Sequence, residues 1–500
     1  MPPPVVDLAA ADPPPAVDLP PALDLVAGRQ SPPAERLDGT LDDPNTGEPL
    51  QPRPASSADT VERALATAHA VHESRSWADL GVEGRVVALT RLADELAVLA
   101  PRLALAEALN AAIVISLGTP MTAGCALQVR GEIDQLRAAG VVEALPGKGR
   151  GGPVELRRDP WGPALVLAPW NAPSPTAVGK TAAALAAGCP VILKPSEWAP
   201  GSSDLLAEAV LAAGLPDGVF QLLHGDGRVG AALAADPRVR AISFTGGLQA
   251  GRAIARTAAP NFTRLQLELG GNNPVIVRAD ADLALTARAL ARGITTLNGQ
   301  WCEAPGKIFV PRRLHDDLVE ALLAELGTLV IGSSLDPGTE LGPIAHRAHR
   351  EKLLGQIARS IATGGRAVSS AQQLPERGWF LAPTLLLGLD PAAADEEIFG
   401  PVATVHPVDS DAEALRLANA APDGLAGYVF GADTAEAIRL GGRMRGGEIK
   451  INGTGLFDLT ARSHQSFWGS SGLGGHGAGE AFAFFRGNRI VGVDDPDAPI

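Results

Sequence analysis

The feature that most constrains this chain is a rhythm beginning near Leu156, in which short apolar runs alternate with alanine-rich stretches of helical spacing. The runs are ALVLAPW at 164–170, VILKP at 191–195, VFQLLHG at 219–225 and AISFTGG at 241–247. Between them lie Thr176 to Ala187, Ser203 to Ala213 and Arg228 to Ala235. Buried strands joined by helices read as βαβ units, whose parallel sheet opens a ligand crevice at the carboxyl ends of its strands. A nucleotide-binding α/β lobe is expected. A second α/β block runs from LQLELGGNNPVIV at 265–277 through ADLALTARALARGI, a loop containing Cys302, the strand KIFVP and the helix HDDLVEALLAEL.

The flanking segments read differently. Residues 1–34 form a Pro, Ala and Asp tract in which VVDL, AVDL and ALDL recur, a composition that favours extended or disordered backbone. Ala58 to Leu99 carries apolar residues at helical spacing, and EALNAAIVISLGTP at 107–120 keeps that rhythm. PGKGRGGPVELRR at 146–158 reads as a hairpin arm, and AFAFFRGNRIVGV after Gly469 as a helix or strand against a neighbour; both are candidate oligomer contacts.

Charge and cysteine usage narrow the function classes. Basic residues number 42 against 56 acidic ones, a net −14, which argues against the basic footprint that nucleic acid or anionic lipid selects. Cys125, Cys189 and Cys302 lack metal-ligand spacing and are odd in number, so free thiols in a reducing compartment are expected. MPPPVVDL has no basic n-region, and no run of about eighteen apolar residues follows. The expectation is a cytoplasmic protein with no membrane span.

Three motif matches fail on context. GLGGHG at 472–477 fits G-x-G-x-x-G but follows the polar SFWGSS, with too little chain beyond it for a βαβ unit. Gly179-Lys180-Thr181 mimics the end of a P-loop, but Ser174 stands where its first glycine belongs, so the match is read as accidental. His346 and His349 share a predicted helix face without a third ligand; a solvated face and no metal are expected.

Three residues invite chemistry. Cys302, in NGQWCEA, places a thiol in a polar loop, and a thiol adds to an aldehyde carbonyl provided that the resulting alkoxide is stabilised. Asn171, in PWNAP, follows a strand end, from which its amide would reach the crevice; taken alone it reads first as a turn residue beside Pro, and its functional reading needs Cys302. Glu268, in LELGG, ends an apolar strand, where burial is expected to raise its pKa toward neutrality and suit it to proton transfer.

Together with KPSE at 194–197, FTGG at 244–247, LGPI at 341–344, PTLL at 383–386, EEIFGPV at 396–402, ANAAPDGLAGYVF at 418–430 and SGLG at 471–474, these strings resemble the aldehyde dehydrogenase superfamily from about residue 40 to 492. The resemblance implies a two-lobed α/β fold with a Rossmann-like cofactor lobe, a catalytic lobe and a small oligomerisation arm. It divides the chain into a 1–34 extension, an NAD-binding domain at 35–140 and 159–268, a catalytic domain at 269–480 and an arm at 141–158 and 481–500. It implies Cys302 as nucleophile, Asn171 with the Cys302 amide as oxyanion holder, and Glu268 as the group that activates water on the thioester. Trp170, Lys194, Ser196, Glu197, Gly246, Gly247, Gly251, Leu269, Glu397 and Phe399 would hold the cofactor. Glu197 would repel a 2′-phosphate, so NAD is favoured over NADP. A homodimer or homotetramer is implied.

The sequence also departs from the family pattern. Gly247 replaces a common Ser, Gln249 a usual Glu, and His476 stands where many members have a carboxylate. Ala172 and Gly179 replace bulkier groups, and Trp301 and Trp468 offer aromatic walls, so a larger hydrophobic or aromatic aldehyde is the expected substrate, with packing the equal alternative for either Trp. A CoA-acylating or acyl-reducing relative and a catalytically silent scaffold are the alternatives.

Overall fold

The computed structural model describes residues 19–147, 152–392, 394–477 and 479–495. Two large sheets dominate. The first has eight strands in the spatial order Arg29–Ser31, Asp24–Val26, Phe220–Leu222, Val191–Lys194, Ala164–Leu167, Ala241–Gly246, Arg264–Leu269, Gly472–Leu473. Its five middle strands are parallel. The chain leaves Ala164–Leu167 toward one edge and returns to its other side with Ala241–Gly246, so a topological switch point lies between these two, where α/β sheets bind ligands.

The second sheet has seven strands in the order Arg366–Ser369, Thr384–Leu387, Val402–Val408, Pro305–Pro311, Asn273–Val277, Ala426–Phe430, Glu448–Ile451, parallel except at the Arg366–Ser369 edge. The inner strands are apolar because helices cover both faces of each sheet, which gives separate hydrophobic cores on either side, while the edge strands Arg29–Ser31 and Arg366–Ser369 are polar and more exposed. The arm is a third, antiparallel sheet of Val142–Leu145, Val154–Pro160 and Arg486–Gly492. The 481–492 segment is thus helix Glu480–Phe484 and then a strand paired with its own chain. The arm's 148–151 tip lies outside the described residues.

Two sequence expectations need correction. The 1–34 tract is not wholly an extension: Asp24–Val26 pairs with Phe220–Leu222 at Leu25, and Asp24 is buried on His224. Residues 1–18 lie outside the described residues. The helical rhythm over 107–120 is broken, because helix Gly81–Asn110 ends and Ala112 turns left-handed (φ +58°) before helix Ile115–Ala139 begins. Among the described residues no helix is long and apolar enough to cross a membrane.

Candidate active site

Cys302 sits between a helix and a strand of the second sheet. After Leu283–Thr295 the backbone turns through Leu297 and Asn298, both left-handed at φ +50° and +57°, a conformation that costs about 1–3 kcal/mol per residue and needs outside support. Asn298 supplies it: its Nδ2 donates to Ala112 O at 2.7 Å and Pro343 O at 3.1 Å, and its Oδ1 accepts from Gly342 N. On the far side Asn273 Nδ2 donates to Cys302 O at 2.8 Å and Ala304 O at 2.9 Å.

The other two predicted groups arrive from the first sheet. Asn171 lies between strand Ala164–Leu167 and helix Pro173–Ala187, and its Nδ2 donates to Gln300 O at 2.8 Å, which places the amide beside the Cys302 loop. Glu107 fixes the start of that helix by accepting from Ser174 N at 2.7 Å. Glu268, in strand Arg264–Leu269, is mostly buried and meets Lys180 Nζ at 3.5 Å, His476 Nδ1 at 3.4 Å and Thr245 Oγ1 at 3.2 Å.

The expected pKa of Glu268 is overturned. Burial pushes the carboxyl up, but Lys180, His476 and Thr245 together outweigh it and hold the group well below the usual carboxylate range. Glu268 therefore rests as a carboxylate. Burial, with the Glu268, Glu303 and Glu397 carboxylates, pushes the Cys302 thiol up, so the resting sulfur carries its proton. Lys180, whose surrounding motif reads as accidental, sits in mid-helix with its ammonium on Glu268. The one signal that could have found it was a lone cation in the apolar run TAVGKTAAALAA. Thr245 and Asn273 lie inside the quoted FTGG and LELGGNNP strings, but nothing in those strings singled out their side chains.

Most of the residues expected at the cofactor lie at or just beyond the carboxyl ends of the first sheet's strands, and Glu397 and Phe399 come from the loop before Val402–Val408 of the second. Gly246 ends its strand, and Gly247 is the N-cap of helix Leu248–Ala258 with no side-chain cap, so the first amides of that helix are open to a pyrophosphate. Leu269 packs into the space that Gly251 leaves; a Cβ at 251 would lie 2.6 Å from it. Lys194 Nζ donates to Pro195 O and Gly225 O, leaving one of its three protons for a ribose hydroxyl. Ser196 Oγ bonds the partly exposed Glu197 at 3.4 Å, and Arg53 lies 3.9 Å from Glu197. The Glu397 carboxylate lies against Gly270, where a side chain would collide with it. These groups fit a dinucleotide.

His346 and His349 do not form a solvated face. His346 caps helix Arg347–Ala362 and stacks on Trp198 at 4.1 Å; His349 lies 5.0 Å from Trp170 and meets Phe399 O at 2.6 Å. Phe399 and Trp170 meet edge to face at 5.5 Å. Burial pulls the two imidazoles down to about 3 and 4, so both are neutral members of an aromatic cluster joining the two sheets' loops.

The family model for the aldehyde dehydrogenase family matches residues 37–491. The chain belongs to the aldehyde dehydrogenase family. It is 35% identical over 436 residues to the 4-(hydroxymethyl)benzenesulfonate dehydrogenase of Comamonas testosteroni, covering 86% of this chain and 90% of the relative. It is 34% identical over 402 residues to the geranial dehydrogenase of Castellaniella defragrans, covering 80% of this chain and 84% of the relative. Among solved structures, the NAD-dependent aldehyde dehydrogenase of Sinorhizobium meliloti superposes with a TM-score of 0.90 at 30% identity, covering 98% of each chain. An NAD-dependent oxidoreductase acting on aldehydes is the class these relationships establish.

The four expected substrate-side residues separate. Ala172 packs against a cluster of Ala111, Ile113, Met121, Leu297 and Trp301. Trp301 is only 3% exposed and donates to Gly293 O, so it is a packed wall rather than an open stacking face. Gly179 faces the Gln128 side chain, and Trp468 is 53% exposed on a short ladder opposite Gly424.

Proposed function

We propose that this aldehyde dehydrogenase oxidises an apolar aldehyde larger than acetaldehyde to its carboxylic acid, with Cys302 as nucleophile. The observation that carries the reading is the convergence on the Cys302 loop of the Asn171 amide, bonded to Gln300, and of Glu268, held by Lys180. The thiol adds to the carbonyl carbon, its proton passing to solvent or a neighbouring carboxylate. The Asn171 amide and the Cys302 N–H hold the oxyanion, and an interaction of this kind supplies about 3 kcal/mol to the transition state. Bound NAD supplies the hydride acceptor. Glu268, resting as a carboxylate, takes a proton from the water that opens the thioester, and the sulfur departs as thiolate. An ionised Glu268 favours water over CoA as acyl acceptor, and product analysis with and without CoA separates the two.

Apolar residues beside Ala172, and relatives named for geranial and 4-(hydroxymethyl)benzenesulfonate, support the larger substrate. The test follows NADH formation on geranial, benzaldehyde and acetaldehyde. A higher kcat/KM on the first two is expected; preference for acetaldehyde overturns the substrate reading, and no turnover on any aldehyde overturns the activity in favour of a silent scaffold. The division at residue 268, the pairing of arms between subunits as a dimer or tetramer, and a cytoplasmic location belong to the same proposal.

A further inference from the structure

His476 occupies a position that the chemistry of Glu268 makes consequential. Strand Gly472–Leu473 pairs antiparallel with Arg264–Leu269, Glu268 opposite Gly472, and the chain then turns back so that His476 pairs with Gln465. This returns the imidazole to Glu268: Nδ1 lies 3.4 Å from Oε1, while Lys180 and Thr245 engage the other oxygen. The ring is fixed from behind. Gln465 Nε2 touches His476 Nε2 at 2.6 Å, and Phe467 meets the ring edge to face at 5.4 Å. Gln465 in turn reaches Glu303, the residue after Cys302, which Lys450 contacts at 3.4 Å and Tyr428 anchors through its carbonyl.

We propose that His476 is a positioning residue for thioester hydrolysis: its Nδ1–H clamps Glu268 as a carboxylate beside the Cys302 loop, ready to take the proton of the attacking water. The inference deepens the proposed function and rests on its nucleophile and base. A carboxylate at this position would repel Glu268; an imidazole donating Nδ1–H attracts it. The charged groups facing His476 are Glu268, Glu303 and Asp458, and those facing Glu268 are Lys180 and His476, with the Cys302 thiol adjacent. Burial disfavours the imidazolium, but Glu268 and the other two carboxylates outweigh it and raise His476 to about 9; in the charged ring Nε2–H faces the Gln465 amide, which then presents Oε1 in place of Nε2.

The acyl-enzyme can be made without NAD or the physiological aldehyde. Cys302 displaces 4-nitrophenolate from 4-nitrophenyl acetate: the S–acetyl bond forms, the ester C–O bond breaks, and the thiol proton goes to solvent. In hydrolysis, water oxygen joins the acetyl carbon, one water proton passes to Glu268, and the C–S bond breaks to release thiolate. Decay of acetyl-Cys302 is followed by mass spectrometry from pH 5 to 9 in wild type, His476→Leu and His476→Asn. In His476→Leu the decay is expected to slow about tenfold throughout pH 5 to 9, because Glu268, still a carboxylate over that range, loses the N–H that orients its Oε1 toward the water. His476→Asn, which keeps an N–H donor on a shorter side chain, should fall between the Leu variant and wild type at every pH; it also serves should the Leu variant fail to fold. Decay rates in both variants equal to wild type overturn the inference while leaving the proposed function intact. Failure of wild type to form acetyl-Cys302 overturns the nucleophile and the inference with it.

Discussion

Replacing Cys302 by Ala is expected to abolish NADH formation while leaving NAD affinity, measured by quenching of protein fluorescence, within about twofold, since the sulfur lies outside the residues that grip the nucleotide. Asn171→Ala removes one oxyanion donor and should lower kcat about 100- to 1000-fold with little change in KM. Glu268→Gln should give a rapid burst of NADH and then slow turnover as thioester accumulates; an unchanged steady-state rate would point to another base. The placement of Asn171 beside the Cys302 loop was legible because both residues lie in strings that resemble the family's motifs. The ionisation of Glu268 was not. Its sign depends on Lys180 and His476, which come from a remote helix and a remote turn, and neither contact leaves a local pattern.

At the level of elements, the site depends on how helix and strand ends are fastened. Glu107 accepts the Ser174 amide and, with burial pushing its carboxyl up to about 7, belongs to a buried polar cluster beneath the helix that follows Asn171. Glu107→Leu should lower stability by about 1–3 kcal/mol by leaving that amide unanswered, and should reduce kcat more than it raises KM because Asn171 loses its fixed bearing. Gly251→Ala drives a methyl into Leu269 at the cofactor helix; NAD affinity should fall at least tenfold while alkylation of Cys302 by iodoacetamide keeps its rate. Strands Ala164–Leu167, Val191–Lys194, Phe220–Leu222 and Ala241–Gly246 of the first sheet and Pro305–Pro311 of the second were legible from apolar runs and their spacing. The break at Ala112 was not, because its left-handed turn is stabilised by Asn298 from across the molecule, and the intervening residues keep a helical pattern.

The molecule as a whole is closed by a buried cluster in which His224 lies 3.0 Å from Asp24 and 3.2 Å from Asp204. Burial alone would lower His224, but the two carboxylates raise it to about 9 against an ordinary 6.5. The folded state therefore holds a proton that the unfolded state releases between these values. This stabilisation is complete below pH 6.5 and declines as pH rises toward 9. Denaturant unfolding from pH 6 to 9 should show that decline. Asp24→Asn should lower stability by about 3–5 kcal/mol near pH 6.5 and flatten the slope, since it leaves a buried charge less well paired. Equal slopes in the variant and wild type would remove the cluster from the account. That Asp24 belongs to the core was hidden by composition: three strand residues inside a proline-rich tract are too few to display alternation.

The short ladder between Arg264–Leu269 and Gly472–Leu473 bears on biosynthesis. A ribosome that has reached Thr460 has already made the sulfur, the amide and the acid, yet the turn that braces the acid does not exist. On the proposed mechanism, full hydrolytic speed therefore waits until Gly472 to His476 has been made and paired, which leaves a shorter nascent polypeptide slow to release its acid product.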